Sequence, residues 1–393
     1  MERKRQRAVV SVLIMVSLAH LLNDLLQSVI PSIYPMLKKQ YGLSFVQIGA
    51  ITLILNLTSS ILQPLVGYFS DKRPKPYGLA AGMGFTLAGV LLLAFSGNFV
   101  LILFAVALTG CGSAVLHPEA SKVARMAAGR KKGMAQSVFQ VGGNVGRAFG
   151  PLVVALLIAP AGQRNISWLS VFAGLAIFVL LRIGRWYKNE LQTSGNSLSS
   201  KFDMENVTHL SRRQITWALV VLLVLMFSKD FYITNLQSYL TFYLIDKFGL
   251  SIQSSQLILF AFLLSSASGL LIGGAVGDRF GRKYVIWDSI LGAAPFALLL
   301  PYVNLFWTIV LSIVIGLIIS SAMSAILVYA TDMLPGNVGM ISGAFYGLSF
   351  GLGGIGSALF GWLADATSIQ YVFQLTAFLP LLGIVTYWLP KDK

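Results

Sequence analysis

The sequence predicts an all-α membrane protein, with twelve transmembrane helices in two six-helix halves. Three observations carry this reading. Of 393 residues, 56% are apolar and only 11% are Asp, Glu, Lys or Arg, against about 25% charged in a typical soluble domain. The apolar residues fall in runs as long as the roughly 20 residues a helix needs to cross a bilayer. The Lys and Arg residues concentrate in alternate loops between those runs.

The alternatives fail on the same grounds. An outer-membrane barrel needs weak alternating segments of about ten residues. Disordered chains are poor in hydrophobes, whereas mean hydropathy here is +0.76. The net charge of +15 fits basic residues flanking spans better than it fits a nucleic-acid partner. Cys111 is the single cysteine, so no intramolecular disulfide forms. Residues Met1 to Arg7 look like the start of a signal peptide. The apolar stretch after them is long and is interrupted by His20, Asn23 and Asp24, so it reads as an uncleaved first span.

Taken in order, spans are expected at 8–37, 45–70, 77–96, 99–124, 132–158, 167–187, 213–245, 254–276, 284–301, 305–330, 338–363 and 369–389. Residues 188–211 form the long polar stretch. The chain therefore divides into an N-terminal half (1–187), a cytoplasmic linker (188–211) and a C-terminal half (212–393). With both termini in the cytoplasm, 23 of the 29 Lys and Arg residues lie on cytoplasmic segments. Four lie outside: Lys38, Lys39, Arg164 and Lys247. Arg147 and Lys229 lie within spans. This asymmetry is the positive-inside signal, and one missed helix would scramble it. The halves also repeat. Gly67 and Gly274 are 207 residues apart, as are Asp71 and Asp278, while Asp24 and Asp230 are 206 apart. Parallel-repeat transporters are built this way, with the binding site between the halves near the bilayer midplane.

Polar groups at membrane depth are costly and mark functional sites. Span one carries His20, Asn23, Asp24 and Gln27 on one helical face. These line a cavity, or they hydrogen-bond a neighbouring helix. Span five carries Gln136, Gln140, Asn144 and Arg147 on one face. Arg147 offers the fork that matches a phosphonate or carboxylate, or it pairs with Asp24 or Glu119. Gly142, Gly146 and Gly150 recur every four residues and suit close helix contact. In span four, His117-Pro118-Glu119 suits a proton relay beside a kink. An ion pair of Glu119 with Lys122 or Arg125 is the alternative. In span seven, Lys229 and Asp230 form a neutral pair, or Lys229 meets an anion while Asp230 tunes it, with Thr234 and Gln237 on the same side. Asp288 reads as structural, and Asp332 and Asp365 sit at span ends. The proton-coupling candidates are thus Asp24, His117, Glu119 and Asp230. The substrate candidates are His20, Asn23, Gln27, Gln140, Asn144, Arg147, Lys229 and Gln237. No metal site or cofactor is expected: there is no His-Glu-x-x-His and the chain has three histidines.

Gly274-Ala-Val-Gly-Asp278-Arg279-Phe-Gly281-Arg282-Lys283 resembles the signature loop of the major facilitator superfamily. The first copy, Gly67 to Asp71-Lys72-Arg73, runs on into Pro74-Lys75-Pro76. The resemblance implies the fold of that superfamily and gating loops at Gly67, Asp71, Arg73, Gly274, Asp278, Arg279, Gly281 and Arg282. In span five, Gly146-Arg147-Ala-Phe-Gly150-Pro151 resembles the core of the motif of proton-coupled exporters, with Val153-Val154-Ala155 where two glycines usually follow. His20-Leu-Leu-Asn23-Asp24, His117-Pro118-Glu119-Ala-Ser121 and Ser137 to Arg147 are similar to the fosmidomycin-resistance branch. That branch implies proton-coupled efflux of a small phosphonate antibiotic.

The expectation is therefore a proton-coupled antiporter of a small anionic compound, working as a monomer in a bacterial inner membrane by alternating access. Its partners are the anion, protons and the lipid bilayer, not nucleic acid. A broader drug exporter and an organic-anion importer are the transport alternatives, and a membrane sensor is the alternative of another class. A pump is disfavoured because Gly-x-x-x-x-Gly-Lys-Ser/Thr is absent. An enzyme is disfavoured because no nucleophile–base motif is present.

Overall fold

Proline and glycine decide where the first span stops. In the computed structural model, α1 (Val10–Ser32) carries Pro31 in its last turn. It hands over at Ile33 to α2 (Tyr34–Tyr41), which has Pro35 in its first turn. Proline lacks the amide hydrogen that a helix interior uses. The expected continuous span 8–37 is therefore broken. Gly42, at φ +63°, then closes α2 in the left-handed region.

The structure describes residues 9–128, 132–194, 211–333 and 338–390. Residues 195–210 of the linker, with His209, lie outside the described residues, as do the side chains of Asp71, Gln136, Asp278 and Asp332, while the backbone of Gly274 is helical.

The first half continues with α3 (Phe45–Lys72), α4 (Gly78–Phe95), α5 (Phe99–Ala127) and α6 (Lys132–Val153). A π-helical turn, Val154–Ile158, extends α6, and a 3-10 turn, Gln163–Trp168, leads into α7 (Leu169–Ser194). The second half holds α8 (Arg212–Phe248), α9 (Ile252–Phe280), α10 (Arg282–Ile290), α11 (Ala294–Leu299), α12 (Leu305–Ser320), α13 (Ala322–Met333), α14 (Val338–Ala366) and α15 (Ile369–Thr376). Among the described residues these make twelve helical segments long and apolar enough to cross a membrane, and no strand. The ninth is Arg282–Tyr302, the tenth Leu305–Thr331 and the twelfth Ile369–Trp388. Each of these joins shorter helical pieces. Ile14, Phe104, Phe178, Ile272 and Trp362 are more than half exposed. Such faces fit lipid, not water.

The internal repeat extends to the helix ends. Gly42-Leu43-Ser44 recurs as Gly249-Leu250-Ser251, 207 residues on, and Gly249 closes α8 at φ +65°. Asn98 and Asn304, 206 apart, cap α5 and α12 by accepting from Leu101 N and Trp307 N at 2.9 and 3.1 Å.

The loop placement expected for the gating residues is corrected by the structure. Gly67 and the backbone of Asp71 are helical, inside α3, and Arg73 N still donates to Phe69 O at 2.9 Å. Asp278 and Arg279 belong to α9. The turn between spans eight and nine shrinks to Gly281, at φ +94°, with Arg282 opening α10. A helix runs on until a residue stops it. Asp, Lys, Arg and Phe do not, whereas Pro74 and Gly281 do.

The chain forms two compact units, Met1–Leu43 with Ile54–Ser200, and Ser44–Leu53 with Lys201–Lys393. In the first, α1 packs along α6 and α4 along α5. In the second, Leu222 and Met226 of α8, Ile286 and Ile290 of α10, and Ile326 and Tyr329 of α13 share one core. The opening turn of α3 belongs to this second unit. Asp365 of α14 accepts from Phe45 N at 2.8 Å and Val46 N at 2.7 Å. A carboxylate at a helix N-terminus satisfies orphan amides and favours the helix dipole. Lys247 closes another end by donating to Pro301 O at 2.7 Å and Val303 O at 3.0 Å.

Candidate functional site

Three glycines of α6 build the scaffold. A Cβ on Gly142, Gly146 or Gly150 would stand 2.1 Å from Ser17 O, 2.0 Å from Leu21 O and 1.9 Å from Ser28 Oγ, respectively. α6 therefore lies backbone to backbone against α1. Ser17 Oγ adds a hydrogen bond to Val138 O at 2.7 Å. This approach brings the polar stripes of the two helices together.

Asp24 sits at the centre, 2% exposed. Arg147 Nη2 donates to its Oδ2 at 3.0 Å, and Asn23 Nδ2 to its Oδ1 at 3.0 Å. His20 Nε2 is 3.5 Å from Oδ2, and His117 Nε2, from α5, is 3.4 Å from Oδ1. A buried carboxylate is costly unless paired and hydrogen-bonded; Arg147 and Asn23 supply that here, with the two imidazoles beside them. The side chain of Arg147 is 38% exposed. Its guanidinium thus joins a buried anion to open space.

Both histidines are held. His20 Nδ1 donates to Phe139 O at 2.8 Å, and the ring stacks on Phe139 with centroids 4.1 Å apart. Gly143 makes the room, since a Cβ there would stand 2.3 Å from the imidazole. His117 Nδ1 lies 3.0 Å from Ser113 O and 3.1 Å from Ser113 Oγ. The two imidazoles meet edge to face at 5.0 Å.

Other candidates stand apart. Glu119 is buried, but helix geometry turns it about 200° from His117. It is not among the groups whose ligand atoms converge on Asp24. Asn144 Nδ2 donates back to Gln140 O at 2.9 Å. Gln27, Gln140 and Asn144 are half-buried. In the second unit, Lys229 and Asp230 are both buried and pair with each other. Asp230 Oδ2 is buried without a hydrogen-bond partner among the described residues. Thr234 is buried and Gln237 half-buried on the same helix. Asp288 is exposed.

Residues 16–254 and 230–393 match the profile of the Major Facilitator Superfamily. The chain belongs to that superfamily. Over 378 residues it is 53% identical to the fosmidomycin resistance protein of Escherichia coli (strain K12), covering 96% of this chain and 92% of that relative. It is 40% identical over 391 residues to YfnC, an uncharacterized MFS-type transporter of Bacillus subtilis (strain 168), covering 100% and 95%. Among solved structures it resembles an inward-facing, unoccupied bacterial homolog of the human lysosomal transporter Spinster. The TM-score is 0.77 at 14% identity, with 96% of each chain covered. The nucleoside transporter NupG follows with a TM-score of 0.73 at 14% identity, covering 97% and 100%. These structures show the fold alone. A superfamily member of this kind is a multi-pass membrane transporter, not an enzyme.

Sequence reasoning missed two residues of this transporter's cluster, Ser113 and Phe139, which hold the histidines. Ser113 lies one helical turn before His117, which is a usable signal. Phe139 carries none that separates it from packing aromatics.

Proposed function

We propose that this chain exports a small anionic compound, of the phosphonate class named by its Escherichia coli relative, in exchange for protons across a bacterial inner membrane. The observation that supports this is the Arg147–Asp24 pair, buried at the carboxylate and open at the guanidinium. A ligand with an anionic end and a hydrogen-bond donor can insert between the two. Its anion replaces Asp24 at Arg147, and its donor replaces Arg147 at Asp24.

The sign of coupling follows from that insertion. The ligand needs Asp24 ionised, as an acceptor. A proton on Asp24 removes its charge and turns one of its oxygens into a donor, which sets it against the ligand's own donor. Proton and ligand therefore disfavour each other, as exchange requires. If a proton merely released Arg147 for an anion with no donor, proton and anion would bind together. That is the import reading, and the same ion pair supports it for such a ligand.

Liposomes carrying the purified chain decide between them. With labelled fosmidomycin inside, acid outside should speed efflux over a no-gradient control. Acid outside that instead drives uptake from the medium would replace export by import. Flux indifferent to the gradient would remove proton coupling altogether.

A further inference from the structure

Each histidine beside Asp24 sets its Nδ1 within hydrogen-bond reach of a backbone carbonyl, His20 of Phe139 O and His117 of Ser113 O. Ser113 Oγ is also 3.1 Å from the His117 nitrogen. The tautomer that donates to the carbonyl keeps its hydrogen on Nδ1. In a neutral imidazole the other nitrogen then carries the lone pair. Both Nε2 atoms face the carboxylate, at 3.5 Å from Oδ2 and 3.4 Å from Oδ1. Two lone pairs aimed at one anion repel it. Arg147 on Oδ2 offsets this in part, and an ion held between the imidazoles and the carboxylate would offset it directly.

The spacing suits a metal ion. Ligand atoms of the three residues all lie within 4.8 Å of one another. With bonds of about 2.0–2.1 Å, tetrahedral ligand atoms stand roughly 3.3–3.4 Å apart. Each imidazole stands close to that edge from one oxygen of Asp24, His20 from Oδ2 and His117 from Oδ1. A single ion therefore takes both carboxylate oxygens or draws the imidazoles inward from the 4.8 Å spread. The surroundings suit it as well. Metal-binding histidines donate their second nitrogen to a carbonyl or carboxylate, and ligating carboxylates are themselves hydrogen-bonded. Here Phe139 O and Ser113 O hold the imidazoles, while Asn23 and Arg147 hold the carboxylate.

We propose that His20, Asp24 and His117 bind one divalent transition-metal ion of the zinc class. Two imidazoles and one carboxylate suit such ions, and three protein ligands leave a position for water or an anion. The side chains of His117 and Arg147, 18% and 38% exposed, give the entry path. The guanidinium opposes a cation, so Arg147 sets the affinity. A bound ion holds the carboxylate that the ligand would otherwise use, and zinc therefore inhibits transport.

The test uses tag-free full-length protein in detergent with His209→Gln, which leaves two of the three histidines. Equilibrium dialysis should find one tightly bound Zn2+ per chain. Co2+ should give intense tetrahedral visible bands that Zn2+ abolishes. His117→Gln and Asp24→Asn should weaken binding at least about a hundredfold, since outer partners alone are worth ten- to a hundredfold. Arg147→Gln should tighten it, the opposite of its effect on a phosphonate, so the metal site and the transport reading fail separately. X-ray absorption of the zinc-loaded protein should count two imidazoles, which makes the outcome independent of whether the variants fold. A first shell without imidazole, or equal binding in all variants, means an adventitious ion only and overturns the site.

Discussion

Arg147 Nη2 meets Asp24 Oδ2 at 3.0 Å, yet the arginine side chain is 38% exposed and the aspartate 2%. The two ends of the pair therefore respond differently to mutation. Asp24→Asn keeps the shape and an acceptor for Arg147, and it removes only the titration. It should fold like the wild type and lose proton-driven flux by about 5- to 150-fold, the usual span of a coupling energy. A pH-sensitive dye trapped in liposomes reads this directly. An Asn variant that still moves protons with substrate at the wild-type ratio would place the proton elsewhere.

Arg147→Lys preserves charge and loses the planar fork. A hydrogen bond to a charged group contributes about 1.5–3 kcal/mol, so phosphonate binding should weaken by roughly ten- to a hundredfold. Arg147→Gln should do worse, because it also strands a buried carboxylate, at a cost of about 3–5 kcal/mol. Isothermal titration with fosmidomycin, alongside thermal melts, separates the two effects. Wild-type affinity in Arg147→Gln would make Arg147 a purely structural partner.

Gly146→Ala tests the helix contact beneath the site. The added Cβ would stand 2.0 Å from Leu21 O, a backbone atom. Overpacking of this kind costs typically 1–3 kcal/mol, and it shifts Arg147, the next residue, away from Asp24. Gly174→Ala is the control, since nothing lies within 4 Å of its Cβ. The melting temperature should fall for the first variant and hold or rise for the second. Equal melts would mean that α1 and α6 separate without penalty.

Much of this was legible because the bilayer makes polar residues conspicuous. His20, Asn23, Asp24 and Gln27 stand out as one face of an apolar run, and so do Gln140, Asn144 and Arg147. That α6 meets α1 was foreshadowed by Gly142, Gly146 and Gly150. That His117 of α5 closes on Asp24 was not. Contact between distant helices leaves no local period, and a ligand set split between α1 and α5 produces no His-Glu-x-x-His. The segments around Asp71 and Asp278 misled for the opposite reason. Their family motif suggests a loop, whereas the helices run on through them until Pro74 and Gly281.

Asp365 caps α3 through two amides, Phe45 N and Val46 N. Asp365→Ala should cost about 0.5–2 kcal/mol, and Asp365→Asn less, since one carbonyl oxygen remains. Hydrogen exchange at Phe45 and Val46 should speed up in that order. Unchanged protection in Asp365→Ala would show that water replaces the cap at no cost.

Lys229 and Asp230 pose the sharpest choice between structure and function. They are neighbours in sequence, both buried, and joined by a charged hydrogen bond. Replacing a buried ion pair by apolar residues of similar size is often neutral or stabilising, while removing one partner is strongly destabilising. Lys229→Met alone strands Asp230, whose Oδ2 already lacks a hydrogen-bond partner among the described residues. It should lower stability by about 3–5 kcal/mol. Lys229→Met with Asp230→Leu should restore the melt to near the wild-type value. A pair kept only to neutralise itself would then be dispensable for transport. If Lys229 instead contacts the anion, the double variant folds but loses flux by roughly tenfold or more, as expected for a lost charge-assisted contact. We expect that loss. A double variant that melts and transports like the wild type would reduce the pair to a packing feature of α8.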